Sequence, residues 1–180
     1  MGVYETIKSR KTIYSFLNKP VKEETIINML DAARFSPAAG GIHEYEFVVV
    51  MDKDNKKKLA QICLTPNIDG APVMIVIMCD PKKLINLFGE EGESVFCSAN
   101  AAMAIDNIML YATDNGLGTA WISNIDQVAV KKLLDIPENY IVRGIIAVGY
   151  PSEEKSKDYT ISPPRLKDMV HEERFNNKAE

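Results

Sequence analysis

Cysteine and histidine are scarce, with three of the first and two of the second in 180 residues. Cys63, Cys79 and Cys97 form no C-x-x-C pair, and only His43 and His171 could join them. The sequence therefore offers no zinc or iron–sulfur motif, and no metal site is expected. An odd, scattered set of thiols fits a reducing, cytoplasmic compartment. Residues 1–10 hold no apolar signal-peptide core. The longest apolar run, Val73–Cys79, is too short to span a bilayer. Charge of one sign is not in excess: the net charge is −4. No nucleic-acid or membrane partner is expected from so small an imbalance.

Catalytic motifs are missing too. No G-x-G-x-x-G follows a strand, and no P-loop or G-x-S-x-G elbow occurs. Neither histidine lies beside a serine or cysteine nucleophile. Paired carboxylates occur only in runs such as Glu90-Glu91 and Glu172-Glu173, which read as solvated surface. The basic run Lys56-Lys57-Lys58, after Asp52 and Asp54, reads as a solvated helix start. No side-chain constellation for acid–base or nucleophilic chemistry emerges. If the chain is an enzyme, a cofactor carries the reaction.

What is present is an ordinary globular composition, 46% hydrophobic and 26% charged. A chain of this length buries roughly 70% of its unfolded surface and needs no staple. Short helix is predicted over residues 4–9, then an extended stretch through Phe16. A second helix spans residues 23–34, where Ile26, Ile27, Leu30 and Ala33 make a stripe. Strands are predicted at 47–51, 73–79, 119–122 and 141–148. The second is apolar throughout, which implies cover on both faces. Asp54 is expected to cap a helix carrying Leu59, Ala60 and Cys63, and Asp126 one carrying Val130, Leu133 and Leu134. The longest helix, residues 94–115, ends at Gly116. Its apolar positions, among them Val95, Ala99, Met103 and Ile105, cover most of its circumference. Burial on nearly all sides follows, in a monomer core or at a dimer interface. Residues 151–180 show no core pattern. Alternating helices and strands indicate an α/β or α+β sandwich.

Three stretches could receive an anion or a flat ring. Arg10-Lys11-Thr12 puts two cations and a hydroxyl in one extended segment, with Arg10 and Thr12 on one side. Arg10 offers a planar fork for phosphate. Pro37-Ala38-Ala39-Gly40-Gly41 is a small-residue loop that lets a ring approach the backbone. Arg165 follows two stiffening prolines in Ser162-Pro163-Pro164-Arg165.

In this order, these stretches resemble the FMN-dependent nitroreductase family, and the resemblance covers nearly the whole chain. The opening Ile7-Lys8-Ser9-Arg10-Lys11-Thr12-Ile13-Tyr14-Ser15-Phe16 is similar to the family's Ile-x-x-Arg-Arg-Ser-x-Arg-x-Phe. Residues 36–45 are similar to its Ala-Pro-Ser-Ala-x-Asn-x-Gln-Pro-Trp loop. Ala71-Pro72-Val73, Asn107, the central run Gly116-Leu117-Gly118-Thr119-Ala120-Trp121-Ile122, then Val148-Gly149-Tyr150-Pro151 and Pro164-Arg165 follow in register.

The resemblance implies an α+β sandwich with a central, mostly antiparallel sheet covered by helices, in an intertwined homodimer. Residues 1–180 would form a single FMN-binding domain, with 151–180 as a C-terminal extension carrying Arg165. Arg10 and Arg165 would hold the FMN phosphate, with Lys11 and Thr12 along the phosphate, ribityl and ring edge. Pro37, Ala38, Ala39 and Gly41 would approach the flavin from the other subunit. Backbone groups at Ile122 and Ser123 would reach the ring near N5. The implied activity is transfer of a hydride from NADH or NADPH, by a ping-pong cycle, to a nitroaromatic, quinone or similar small acceptor. The alternative is a flavin-binding carrier or sensor with little turnover. The chain departs from the family in places. Tyr14 stands where a cation usually faces the pyrimidine end of the flavin. Ala38, Gly41, His43, Glu44 and Tyr45 replace the loop's Ser, Asn, Gln, Pro and Trp, and Pro163 replaces a second phosphate cation.

Overall fold

The computed structural model describes residues 1–152 and 162–177. The chain runs through α1 (Val3–Ser9), α2 (Glu23–Ala33), β1 (Tyr45–Val50), α3 (Lys53–Ile62), β2 (Val73–Cys79) and α4 (Lys82–Phe88). It continues through α5 (Cys97–Asp114), β3 (Gly118–Ile122), α6 (Gln127–Leu134), β4 (Ile141–Gly149) and the one-turn α7 (Leu166–Met169). The four strands form one sheet in the order β1-β2-β4-β3, every pair antiparallel. Helices on both faces make the expected α+β sandwich.

Strand alternation sorts the core into two layers. Val73, Ile75, Ile77 and Cys79 of β2, with Ile146 and Val148 of β4, pack under α2 and α5. Met74, Val76 and Met78, with Ile145 and Ala147, face Leu59 and Ala60 of α3 and Val130 of α6. This double cover is why every residue of β2 is buried and why its sequence does not alternate. Where β2 meets β4 the register slips between Ile77 and Met78. Gly144 pairs with Ile77, Val142 with Met78, and Arg143 is the extra residue. A bulge of this kind re-aims one side chain.

Several boundaries differ from the sequence expectation for physical reasons. Asp52, not Asp54, caps α3: its carboxylate accepts the Asn55 N–H at 2.9 Å. Lys56 is not solvated. It is 8% exposed, and its Nζ donates to the carbonyls of Ala71 at 2.6 Å and Pro72 at 3.1 Å. Burial pushes its ammonium below the ordinary lysine range, against the nearby Asp69 and Asp52. β1 begins at Tyr45, earlier than predicted, and is an edge strand with three half-buried positions. α4 is unpredicted.

The long helix also differs. Its first turn, Gly92–Phe96, is π-helical, and regular α-helix starts at Cys97. Gly92 lies so close to α4 that an added Cβ would sit 2.3 Å from the Leu84 carbonyl carbon. Gly92–Asp114 is long and apolar enough, by length and composition, to cross a membrane. In the fold Cys97, Ala101, Ala104, Ile105, Ile108 and Ala112 are instead buried against the sheet and α2. Burial is not all-round in the single chain: Val95 is 52% and Met103 45% exposed, and Ala99 between them is exposed as well. Parts of the predicted C-terminal extension lie outside the described residues. Within it, α7 contributes no buried residue.

Candidate functional site

α1 ends at Ser9, and the Arg10 N–H closes it on the Thr6 carbonyl at 3.1 Å. The chain then runs extended along the open edge of the sheet. Thr12 bridges Thr119 of β3 in parallel, and the Ile13 N–H donates to the Thr119 carbonyl at 2.9 Å. Phe16 bridges Pro151, the Leu17 N–H reaches the Tyr150 carbonyl at 2.9 Å, and the Ser152 N–H reaches the Ser15 carbonyl at 3.0 Å. Residues 12–17 are thereby stitched to β3 and to the end of β4. Arg10 and Thr12 are half-buried and Lys11 is exposed, as alternation predicts. The Arg10 guanidinium makes no hydrogen bond or ion pair with another described residue.

β3 is the outer strand of the sheet, and among the described residues its far edge bridges to this short segment. The Thr119 carbonyl points outward to Ile13. By strand alternation the Trp121 backbone also faces the open edge, while that of Ile122 faces β4. Ile122 is buried and Ser123, just past the strand, is exposed. Tyr14 is half-buried and packs on the core layer under α3 and α6. Lys19 sits with its Nζ 3.8 Å above the Tyr150 ring.

The small-residue loop is built differently. Ala39–Gly41 forms a single 3-10 turn, with Gly40 at φ +60° and Gly41 at φ +68°. A Cβ on Gly40 would meet Leu87 of α4 at 2.9 Å. Asn100 of α5 holds the loop. Its Oδ1 accepts the Ala39 N–H at 2.9 Å, and its Nδ2 donates to the Ile42 carbonyl at 3.1 Å and to Glu44 Oε2 at 2.8 Å. Residues 43–45, where the sequence departs from the family, do structural work. The Tyr45 hydroxyl donates to the Ala33 carbonyl at the end of α2 and lies 2.9 Å from Ser36 Oγ. Burial raises the Tyr45 phenol above its usual range. His43 Nε2 lies 3.0 Å from the Ser36 carbonyl.

Arg10, Lys11 and Thr12 thus share one strip with the end of β3. Among the described residues, no hydrogen bond or ion pair joins residues 37–41 or Arg165 to that strip. Arg165 precedes α7 and pairs with Asp168, at 2.9 Å and 3.2 Å, on an exposed surface.

One cluster had no sequence signal. Glu44, Cys79 and Cys97 are all buried, and one ligating atom from each lies within 4.8 Å of the others. The thiols come from the end of β2 and the start of α5, 18 residues apart, so no spacing rule could pair them. Burial pushes the Cys97 thiol to about 11 and the Cys79 thiol further. Cys63, elsewhere in the core, is also raised by burial to about 11.

The sequence profile of the nitroreductase family matches residues 7–67 and 63–150. A protein of Archaeoglobus fulgidus bearing the provisional name NADH dehydrogenase/NAD(P)H nitroreductase is 30% identical over 178 residues, covering 94% of this chain and 96% of its own. An FMN-dependent nitroreductase from Clostridium difficile R20291 superposes with a TM-score of 0.78 at 28% identity, over 94% of this chain and 98% of that one. A nitroreductase family protein from Clostridium novyi NT gives 0.78 at 27% identity, over 88% and 89%.

Proposed function

The chain belongs to the nitroreductase family of oxidoreductases, and we propose that it uses FMN to carry electrons from NADH or NADPH to a small organic acceptor such as a nitroaromatic or quinone. The observation that carries this reading is the strip at the sheet edge. A half-buried arginine without a partner among the described residues stands beside an exposed lysine, a threonine and the outward-facing backbone of β3. A cation drawn out of water gains from a counter-charge, so this arrangement suits an anionic ligand supplied from outside. An FMN phosphate has the right charge, and strand backbone suits the ring's polar edge.

In this reading Arg10 binds the phosphate through its fork, on the order of 1.5–3 kcal/mol for a charge-assisted contact. Lys11 adds charge, Thr12 a hydroxyl, and Tyr14 borders the pyrimidine end. Backbone at Ser123, just past β3, orients the ring, Ile122 stands behind it with its own backbone turned to β4, and Pro37, Ala38, Ala39 and Gly41 cover it from a second copy of the chain. Arg165 exchanges its exposed partner Asp168 for the phosphate, which costs little because a surface ion pair is worth about 0–1 kcal/mol. When bound, FMN supplies the redox chemistry, accepting hydride from the nicotinamide and passing electrons to the acceptor in ping-pong order. The protein binds, orients and shields.

We read residues 1–180 as one functional domain acting as a homodimer. The exposed apolar strip of Val95, in the π-helical turn, and Ala99 and Met103 on α5 is the natural surface for a second copy. All three thiols are unpaired and buried, which suits the reducing cytoplasm. Rapid mixing of the FMN-loaded protein with NADH or NADPH tests the activity. Bleaching of the flavin band with either donor, and its recovery on adding a quinone, is the expected result. A flavin that binds but is reduced by neither donor would make the protein a carrier or sensor instead.

A further inference from the structure

We propose that Glu44, Cys79 and Cys97 form a buried binding site for a soft divalent cation of the zinc type. The three side chains come from the segment before β1, the end of β2 and the start of α5. Their ligating atoms already lie within 4.8 Å of one another. A tetrahedral zinc site with bonds of about 2.0–2.3 Å needs donor atoms separated by about 3.5–3.8 Å. The excess is about 1 Å, the scale of a side-chain torsion adjustment.

A second observation points into the same space. Glu44 is 7% exposed: Oε2 accepts from Asn100, while Oε1 is buried with no N–H or O–H donor, and the carboxylate meets only the weakly donating Cys97 thiol on that side. An orphaned carboxylate oxygen in an apolar layer is costly. A cation held by that oxygen and two sulfurs removes the cost.

Charge selects a divalent ion. Arg143, the extra residue of the β4 bulge, acts electrostatically on both thiols; one Nη donates to the Glu93 carbonyl at 2.8 Å, while its Nε is buried with no hydrogen-bond partner. With thiols protonated, the Glu44 carboxylate and the Arg143 guanidinium balance. Replacing two thiol protons with one divalent cation leaves that balance unchanged, whereas a monovalent ion leaves a net negative charge in the core. Thiolate ligands favour a soft metal over magnesium or calcium. Such an ion would tie the start of α5 and the end of β2 to the loop that Asn100 holds. This site is separate from the sheet-edge strip and does not depend on the flavin reading.

Cadmium titration of the purified full-length protein tests the proposal, read as the thiolate-to-metal difference absorption. The expected result is one ion per chain, an unchanged titration in Cys63→Ser, and loss of the band in Cys79→Ser and Cys97→Ser. Glu44→Gln keeps the shape of the site and should weaken the affinity by about tenfold or more. Circular dichroism checks that each variant is folded. No band in the parent protein, an undiminished band in folded Cys79→Ser or Cys97→Ser, or unaltered affinity in folded Glu44→Gln overturns it.

Discussion

Arg10 and Lys56 are both cations in short basic runs, yet the fold treats them in opposite ways. Lys56 is turned inward onto two carbonyls, whereas Arg10 is half-buried with its guanidinium unclaimed by any described residue. Arg10→Ala should weaken FMN binding roughly tenfold to a hundredfold, the equivalent of about 1.5–3 kcal/mol. Lys58→Ala, on the exposed face of α3, should leave it unchanged. Flavin fluorescence titration compares them, and equal weakening would remove Arg10 from the site. The buried thiols give a second prediction. Their folded values lie above the ordinary thiol value of about 9, so the folded state holds protons that the unfolded chain releases. Stability is then full below about pH 9 and is lost as pH rises toward 11, by at most about 1.4 kcal/mol per unit for each thiol. Lys56 acts with the opposite sign, since its depressed value makes the fold gain as the ammonium deprotonates. Three thiols outweigh one amine. Thermal melts should therefore fall between pH 9 and 11, with a shallower fall in Cys63→Ala.

At the scale of elements, the sequence was legible wherever burial set the pattern. β2 reads as a strand covered on both faces because all seven residues are apolar, and the structure buries all seven. Asp126 caps α6 as read, accepting the Ala129 N–H. Capping at α3 was misplaced by two residues because Asp52 and Asp54 carry the same chemistry, and only backbone geometry decides which reaches an N–H. α4 was missed because Lys82–Phe88 is short and its N-cap position is Pro81, the Lys82 N–H being taken instead by Asp80 Oδ1 at 3.1 Å from one residue further back. The Glu44 cluster was invisible because tertiary packing alone brings Cys79 to Cys97. The tie between α5 and the loop is open to test. Asn100→Ala removes three hydrogen bonds and leaves the Ala39 N–H and Glu44 Oε2 without that partner. It should cost about 2–4 kcal/mol, read from denaturant melts. Gly92→Ala should cost more, because its Cβ meets α4 backbone that cannot rotate away. Gly2→Ala, with open space around it, is the matched control. A Gly92→Ala protein as stable as its parent would mean that the π-helical turn is not packed on α4 as described.

The whole molecule leaves a strip of α5 uncovered, and that is the strongest physical argument for assembly. Ala99 and Met103, four residues apart, lie on one face of α5, and Val95 precedes them in the π-helical turn. Solvent reaches all three, although the opposite face is closed against the sheet. α1 adds exposed Val3, Tyr4 and Ile7, and a cleft of about 300 Å³ lined by Val3, Leu110 and Tyr111 runs between the two helices. Exposed apolar surface on this scale suits a second copy of the chain. A charge placed on that face tests assembly without disturbing the core only at an exposed position. Ile105 does not qualify, because it is fully buried and a carboxylate there would unfold the chain. Met103 qualifies at 45% exposure. Met103→Glu should keep the circular dichroism of the parent while shifting the light-scattering mass from dimer to monomer. Because residues 37–41 are proposed to cover the flavin from the second copy, the same variant should lose FMN retention on gel filtration. A Met103→Glu protein that stays dimeric and flavin-loaded would show that this strip is not the interface. A folded monomer that still retains FMN would show that one chain builds the site alone.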